Sequence, residues 1–314
     1  MKKFLCLCIL IILSYTSQSS ICYSQSWKEL SDSTKSYNEK RDLNSALKWA
    51  RLALTKAEME FGKTDSNYVS TLDFISTTFY SMGKIDSAIY YEENCLNASR
   101  SLYKEDHAFL AEIINNLGVF YKTIGDFKSA EPLYKEALEM RRRLFHGDHE
   151  ELAVTINNVA LLYHALGDFK KAEPLYKEAL EMYRRIFKGD NTNLANSIMS
   201  MGFFYNAIGN YEQAEPYLKE SVDMARRLYK EDNPYLASYI NNFAVFFSNL
   251  GRFKESEPLL IEALEMNRRL YKDDNSNLAR SLNSLATCYN SMGRYTEAEP
   301  LYKEALEMRR RLFK

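Results

Sequence analysis

Six glycines in this chain return on a fixed count. Gly83, Gly125, Gly167, Gly209, Gly251 and Gly293 follow one another at intervals of 42 residues, and Pro132, Pro174, Pro216, Pro258 and Pro300 each stand seven residues after their glycine. Of the 11 Gly and 6 Pro in the 314 residues, eleven lie on this lattice. A fixed period of this length predicts stacked units, each contacting its neighbours, in place of one globular core. The function of such an array is expected on an extended surface.

The period divides the chain without insertions or deletions. One step back from Gly83 reaches Arg41, where Asp42-Leu43-Asn44-Ser45-Ala46 still parallels Lys84-Ile85-Asp86-Ser87-Ala88. Residues 25–66 read as a degenerate first repeat without the glycine and the proline, and 67–314 as six further repeats, the last incomplete. Ahead of them, Met1-Lys2-Lys3 is a short basic start and Phe4 to Leu13 an apolar run too short to span a bilayer. This layout predicts a signal peptide over 1–24, cleaved after Ser24 or alternatively after Ser19 or Ser20, and an exported chain in a periplasm or outside the cell. A lipoprotein reading through Cys22 is disfavoured by the bulky Ile21 before it.

One frame shows the expected unit. In 151–192, Leu152, Ile156, Val159, Ala160 and Tyr163 keep helical spacing, and Ala172, Tyr176, Ala179, Leu180 and Ile186 keep it again after Gly167-Asp168. Glycine suits a left-handed C′ position, and Asp168 can cap the helix that follows. Each unit is thus a hairpin of helices A and B. Small residues mark where helices approach: Gly118, Ala160, Gly202, Ala244 and Ala286 on helix A, and Ala130, Ala172, Ala214, Ser256 and Ala298 on helix B. The recurrent proline, six residues into helix B, should clash with the carbonyl four residues before it, so a kink or a widened first turn is expected.

Composition directs attention away from several chemistries. With 41 Lys+Arg against 42 Asp+Glu, the chain has no global field for nucleic acid. Arg141-Arg142-Arg143 and Arg309-Arg310-Arg311 close helices, where cations favour the dipole, and are expected to pair with Glu139 and Glu307 nearby. Cys95 and Cys288 fall in packing slots several units apart and read as buried free thiols. His107 and His149 share a loop slot that becomes Asn191, Asn233 and Asn275, and with His146 fall short of a zinc set. Neither a nucleophile elbow nor a phosphate loop is present. No catalytic residue, metal or cofactor is expected, and no membrane span in the mature chain.

Leu117-Gly118-x-x-Tyr121, Ala130, Tyr134 and Ala137, with Ala160, Tyr163, Ala172, Tyr176 and Ala179, resemble the tetratricopeptide repeat. The 42-residue unit, with Asn157-Asn158-Val159-Ala160-Leu161-Leu162-Tyr163 and Ala172-Glu173-Pro174-Leu175-Tyr176, is similar to the kinesin light chain subtype, here in a bacterial exported form. The resemblance implies an all-α, right-handed superhelical solenoid. It also implies binding of a protein or peptide in extended conformation along a groove lined by helix A. Related bacterial repeats continue into CHAT-type protease or signalling domains. The end of the chain therefore fits two readings: a sensory or regulatory arm of a longer protein whose effector is missing, or an uncapped last repeat, around Leu301, Ala305 and Leu306, suited to end-to-end self-association.

The family's groove positions carry over to Glu112, Asn116, Val119 and Thr123, to Val154, Asn158, Leu161 and Ala165, and to their equivalents one, two and three steps on. Asn116, Asn158, Asn196, Ser200, Asn242, Asn249, Arg280 and Ser284 are the candidate ligand contacts, because each carboxamide offers both a donor and an acceptor to a main chain. Asn115, Asn157, Asn241 and Asn283, one position earlier, are candidates for fixing the stacking or for a secondary groove contact. Few charges lie on this stripe, so the ligand expected is an internal, partly apolar segment.

Overall fold

A computed structural model describes residues 25–312; the expected signal segment, with Cys6, Cys8 and Cys22, lies outside the described residues, as does Lys314. The described residues form fourteen α-helices and no strand. They are α1 Trp27–Glu39, α2 Leu43–Phe61, α3 Ser66–Ser81, α4 Ile85–Leu102, α5 Ala108–Thr123, α6 Phe127–Leu144, α7 Glu150–Ala165, α8 Phe169–Ile186, α9 Thr192–Ala207, α10 Tyr211–Leu228, α11 Pro234–Asn249, α12 Phe253–Leu270, α13 Ser276–Ser291 and α14 Tyr295–Leu312. Odd-numbered helices are the A helices and even-numbered ones the B helices. The chain divides after Gly147 into two compact units, the first holding α1–α6 and the second α7–α14.

Within each unit every A helix packs on the B helix that follows, and each B helix packs on the next A helix. The turn between A and B needs a left-handed residue, which Gly167 supplies at φ 74°. Where the first hairpin lacks its glycine, Arg41 takes that conformation at φ 58°, an uncommon state for a residue with a Cβ. Asp168 accepts from the backbone N–H of Lys171 at 3.3 Å, capping α8 as its sequence position implied.

Caps on the A helices explain the histidine slot. His107 Nδ1 accepts from the Phe109 N–H at 3.2 Å and His149 Nδ1 from the Glu151 N–H at 3.3 Å. Asn191, Asn233 and Asn275 do the same with a side-chain oxygen at 2.7, 2.8 and 2.8 Å. The slot is therefore an N-cap. His107→Ala is expected to cost about 1 kcal/mol, and His107→Asn to recover most of it, read as urea midpoints. Asparagine recovering nothing would show that the ring's stack on Tyr103, and not the cap, stabilises the loop.

The cores follow the repeat. In the first unit Val69, Leu72, Ile113, Ile114 and Leu117 bury together; in the second, Leu260, Leu264, Leu282, Leu285 and Met308 do so. The small A-helix residues mark close approach: a Cβ on Gly118 would stand 3.0 Å from the Tyr134 ring, and one on Gly202 2.7 Å from Leu218. Cys95 and Cys288 are buried free thiols, and burial pushes the Cys95 thiol well up. Each of the five prolines lies inside a continuous helix, α6, α8, α10, α12 and α14. All five are exposed, as are Lys128, Lys170, Glu212, Lys254 and Thr296 four residues before them, so water can reach the carbonyls that lose an N–H partner.

The arginines pair differently from the local expectation. Arg143 donates two hydrogen bonds to Asp106, at 2.6 and 3.0 Å, and Arg311 two to Asp274, at 2.7 and 2.8 Å. Neither uses Glu139 or Glu307 as its hydrogen-bond partner; the loop aspartate instead accepts from Nε and one terminal nitrogen of the guanidinium fork. Arg185–Asp148, Arg227–Asp190 and Arg269–Asp232 repeat the pair, which ties the end of helix B to the loop before its own helix A. Hydrogen bonding from Arg143 holds the Asp106 carboxyl below its ordinary range. A second row, Arg100–Glu136, Arg184–Glu220, Arg226–Glu262 and Arg268–Glu304, joins successive B helices. These pairs are half exposed and individually weak; the first row closes each hairpin and the second runs from one hairpin to the next.

Candidate functional site

The residues expected to meet a ligand lie on the A helices at part-exposed positions. Asn116, Asn158, Ser200, Asn242 and Ser284 are half-buried, while Asn196, Asn249 and Arg280 are exposed. The apolar members between them, Val119, Leu161, Phe203 and Val245, are half-buried too. In the second unit this face is stitched by contacts from one A helix to the next. Tyr239 on α11 donates its hydroxyl to Asn196 Oδ1 on α9, and Asn242 Nδ2 reaches Met199 Sδ at 3.7 Å. Arg280 on α13 donates to Asn277 Oδ1 of its own helix and lies 3.5 Å from Ser238 Oγ on α11. Asn196 and Arg280 are therefore partly engaged within the chain.

The neighbouring asparagines divide by environment. Asn115 and Asn241 are each 4 % exposed, Asn157 is half-buried and Asn283 is exposed. Asn157 Oδ1 and Asn241 Oδ1 are buried without a hydrogen-bond partner, so these amides face the packing more than the solvent.

The second hairpin departs from the pattern at Asp73-Phe74, which break the asparagine pair of helix A, and at Glu92, which motif reading missed. Asp73 on α3 stands in the slot of Asn115, and Glu92 on α4 in the slot of Tyr134, Tyr176, Leu218 and Leu260. Glu92 is fully buried, and neither of its carboxylate oxygens nor Asp73 Oδ1 has a hydrogen-bond partner. Burial, with Glu112 of α5 adding repulsion, raises the Asp73 carboxyl to about 7. Burial and the charge of Asp73 raise Glu92 well above the ordinary carboxylate range. Stepping the sequence by 42 could have exposed the acid in a core slot. The A-helix face of the same unit also carries Phe74 where Asn116 and Asn158 stand one and two steps on.

Among the described residues no group of three or more His, Cys, Asp or Glu side chains could hold a metal ion, and no helix is long and apolar enough to cross a membrane. Models of the tetratricopeptide repeat match residues 93–143, 109–185 and 240–311, and a second such model matches 194–235. The chain belongs to the tetratricopeptide repeat family. No curated protein matches it. Solved structures share the fold of this tetratricopeptide chain at low identity. The repeats of a Podosopora anserina putative kinesin light chain align with TM-score 0.55 and 17% identity or less, at 16% over 67% of this chain and 99% of that one. A Rap protein complexed with competence and sporulation factor aligns with TM-score 0.68 and 15% identity over 94% of this chain and 79% of that one. Aspartyl phosphate phosphatase F from Bacillus subtilis aligns with TM-score 0.62 and 15% identity over 90% and 70%. At these identities the tetratricopeptide solenoid is what is shared.

Proposed function

We propose that this tetratricopeptide chain is a non-catalytic scaffold that holds a protein or peptide segment, in extended conformation, along its A-helix face. The degenerate repeat of 25–66 and the six repeats of 67–314 form that scaffold, and the segment 1–24 directs its export to a periplasm or the outside of the cell. The observation that carries the reading is the repeated, part-exposed alternation of amide and apolar positions on successive A helices, Asn116 and Val119, Asn158 and Leu161, Asn242 and Val245. Amides on a fixed step can pair with a ligand main chain while the apolar positions between them take its side chains. The Rap protein of like fold, crystallised with competence and sporulation factor, supports a ligand-holding role.

The test is a peptide array probed with the chain and with the triple variant Asn116→Ala, Asn158→Ala, Asn242→Ala. The variant is expected to lose at least about tenfold in affinity, since each amide removed leaves ligand groups unpaired, while its far-ultraviolet dichroism stays that of the parent. Binding that survives the triple variant would sink the amide-stripe reading.

A further inference from the structure

A cavity of about 170 Å³ opens in the first unit between α1 and α3, lined by Trp27, Ser31, Thr34, Ser70, Thr71 and Phe74 among others. Its origin is legible in the repeat. Ser31 occupies the slot that holds Asn115, Asn157, Asn241 and Asn283 in later hairpins, and the shorter side chain leaves space. Phe74 occupies the slot of Asn116, Asn158 and Asn242, so an aromatic ring replaces an amide at the same groove position. Ser70 is the equivalent of Glu112 and Val154. The cavity thus lies on the A-helix face, at positions the amide stripe leaves out.

Four of its polar side chains donate their hydrogens internally, while Ser31 and the exposed Lys35 complete the polar lining. Thr34 Oγ1 donates to the Leu30 carbonyl at 2.9 Å, and Ser70 Oγ and Thr71 Oγ1 donate to the Asn67 carbonyl at 3.1 and 2.7 Å. The Trp27 indole Nε1–H donates to Thr71 Oγ1 at 3.1 Å. A polar group seated against Thr34, Thr71 and the Trp27 indole would give up water and find few free donors there, whereas an apolar group loses no hydrogen bond on entry. The volume is that of one side chain: an apolar cavity of about 150 Å³ accommodates a benzene ring.

We infer that this cavity is the anchor subsite of the binding face, taking one apolar side chain of leucine to phenylalanine size from an extended peptide. The inference rests on the reading of the A-helix face as ligand-binding. It gives the face of the first unit an apolar anchor beside α1 and α3, one repeat step before the amide Asn116 of α5.

The chain contains two tryptophans, Trp27 in the cavity wall and Trp49, stacked on Tyr37 with ring centroids 6.4 Å apart. Indole-labelled full chain therefore gives a reporter and an internal control. Titration with N-acetyl-leucine amide is expected to shift the Trp27 indole signal saturably and leave Trp49 in place, with N-acetyl-glutamine amide weaker by at least about tenfold. Ser31→Phe, which fills the cavity, should weaken the leucine response by a similar factor. Ser70→Phe fills it from the exposed rim and serves if the first variant loses helicity. A Trp27 signal unmoved by the leucine probe, or moved equally by both probes, overturns the inference, as does an unchanged response in both filled variants. Peptides that lose binding in the asparagine triple variant but keep it in the filled ones would overturn the anchor and leave the face standing. A leucine response abolished by filling, with peptide binding indifferent to the asparagines, would support the anchor and remove the amide stripe.

Discussion

Urea unfolding of the first unit, followed by tryptophan fluorescence, is expected to move to lower denaturant as the pH rises from about 5 to about 8. Both tryptophans, Trp27 and Trp49, belong to that unit, so the signal reports it alone. The cause is the pair Asp73 and Glu92. The charged groups acting on them are each other and Glu112 of α5, with Ser76 of α3 and Asn116 of α5 as polar neighbours; no basic group is among them. The Asp73 carboxyl, normally near 3.8, titrates at about 7 in the folded chain. The folded state therefore holds a proton that the unfolded state has released, and stability is fully present below the unfolded value. For Asp73 it is lost as the pH rises to the folded value, and Glu92, whose carboxyl is also raised, adds a loss of the same sign. With roughly 1.4 kcal/mol for each unit of displacement, the loss is about 2 to 4 kcal/mol.

The repeat itself supplies the cure. Glu92→Leu installs the residue that Leu218 and Leu260 place in the same slot, buried to within 1 %. Removing a buried acid without a partner should raise stability at about pH 8 by roughly 2 kcal/mol or more, and combining it with Asp73→Asn should flatten the pH dependence. An E92L variant less stable than its parent at that pH, or one with the same slope in the double variant, would refute the account. A charge pair of this kind in only one hairpin of an otherwise regular array makes that hairpin the place where the first unit opens first at high pH.

Much of the fold was legible because the period repeats the same short-range physics. Glycine at six of the seven A–B turns, helical spacing on both sides and a capping Asp or Asn at several of them are all local, so Gly167-Asp168 and Leu152 to Tyr163 could be read directly. What escaped was set by groups 36 to 44 residues apart. Arg143 reaches back to Asp106 ahead of its own hairpin and Arg184 reaches Glu220 on the next B helix, and nothing within a helical turn of either arginine announces its partner. The histidine slot was located in the sequence but its task was not: an imidazole nitrogen can accept a backbone N–H as an asparagine oxygen does, and the shared role is an N-cap. The prolines looked costly because a helix position was known and its exposure was not. At the candidate site, Asn116, Asn158 and Asn242 are half-buried on their A helices, and Tyr239 engages Asn196 from the next A helix. Asp73-Phe74 stands out in the sequence as a break in the asparagine pair, whereas Glu92 escaped because its slot is recognised by the core residues that the other repeats share, Tyr134, Tyr176, Leu218 and Leu260.

Gly202 and Leu218 are expected to show sign-changing coupling. A Cβ added to Gly202 would lie 2.7 Å from Leu218 Cγ and 3.2 Å from its backbone nitrogen, so α9 and α10 must separate to admit it. Gly202→Ala alone therefore exchanges a helix-propensity gain of about 1 kcal/mol for an overpacking cost of 1 to 3 kcal/mol, roughly. A net loss of about 1 kcal/mol follows. Leu218→Ala, at a site 1 % exposed, removes the obstructing branch and leaves a cavity, at a cost of about 3 kcal/mol. In that background the alanine at 202 enters empty space and keeps its propensity gain, so the double variant should be more stable than L218A by about 1 kcal/mol. The four proteins compared by helicity in urea close the cycle. Gly202→Ala stabilising both backgrounds would mean that the hairpin slides freely to the wider setting of Ala244 and Leu260 one step on. In that case the glycines at this slot do not hold the hairpins at a fixed spacing.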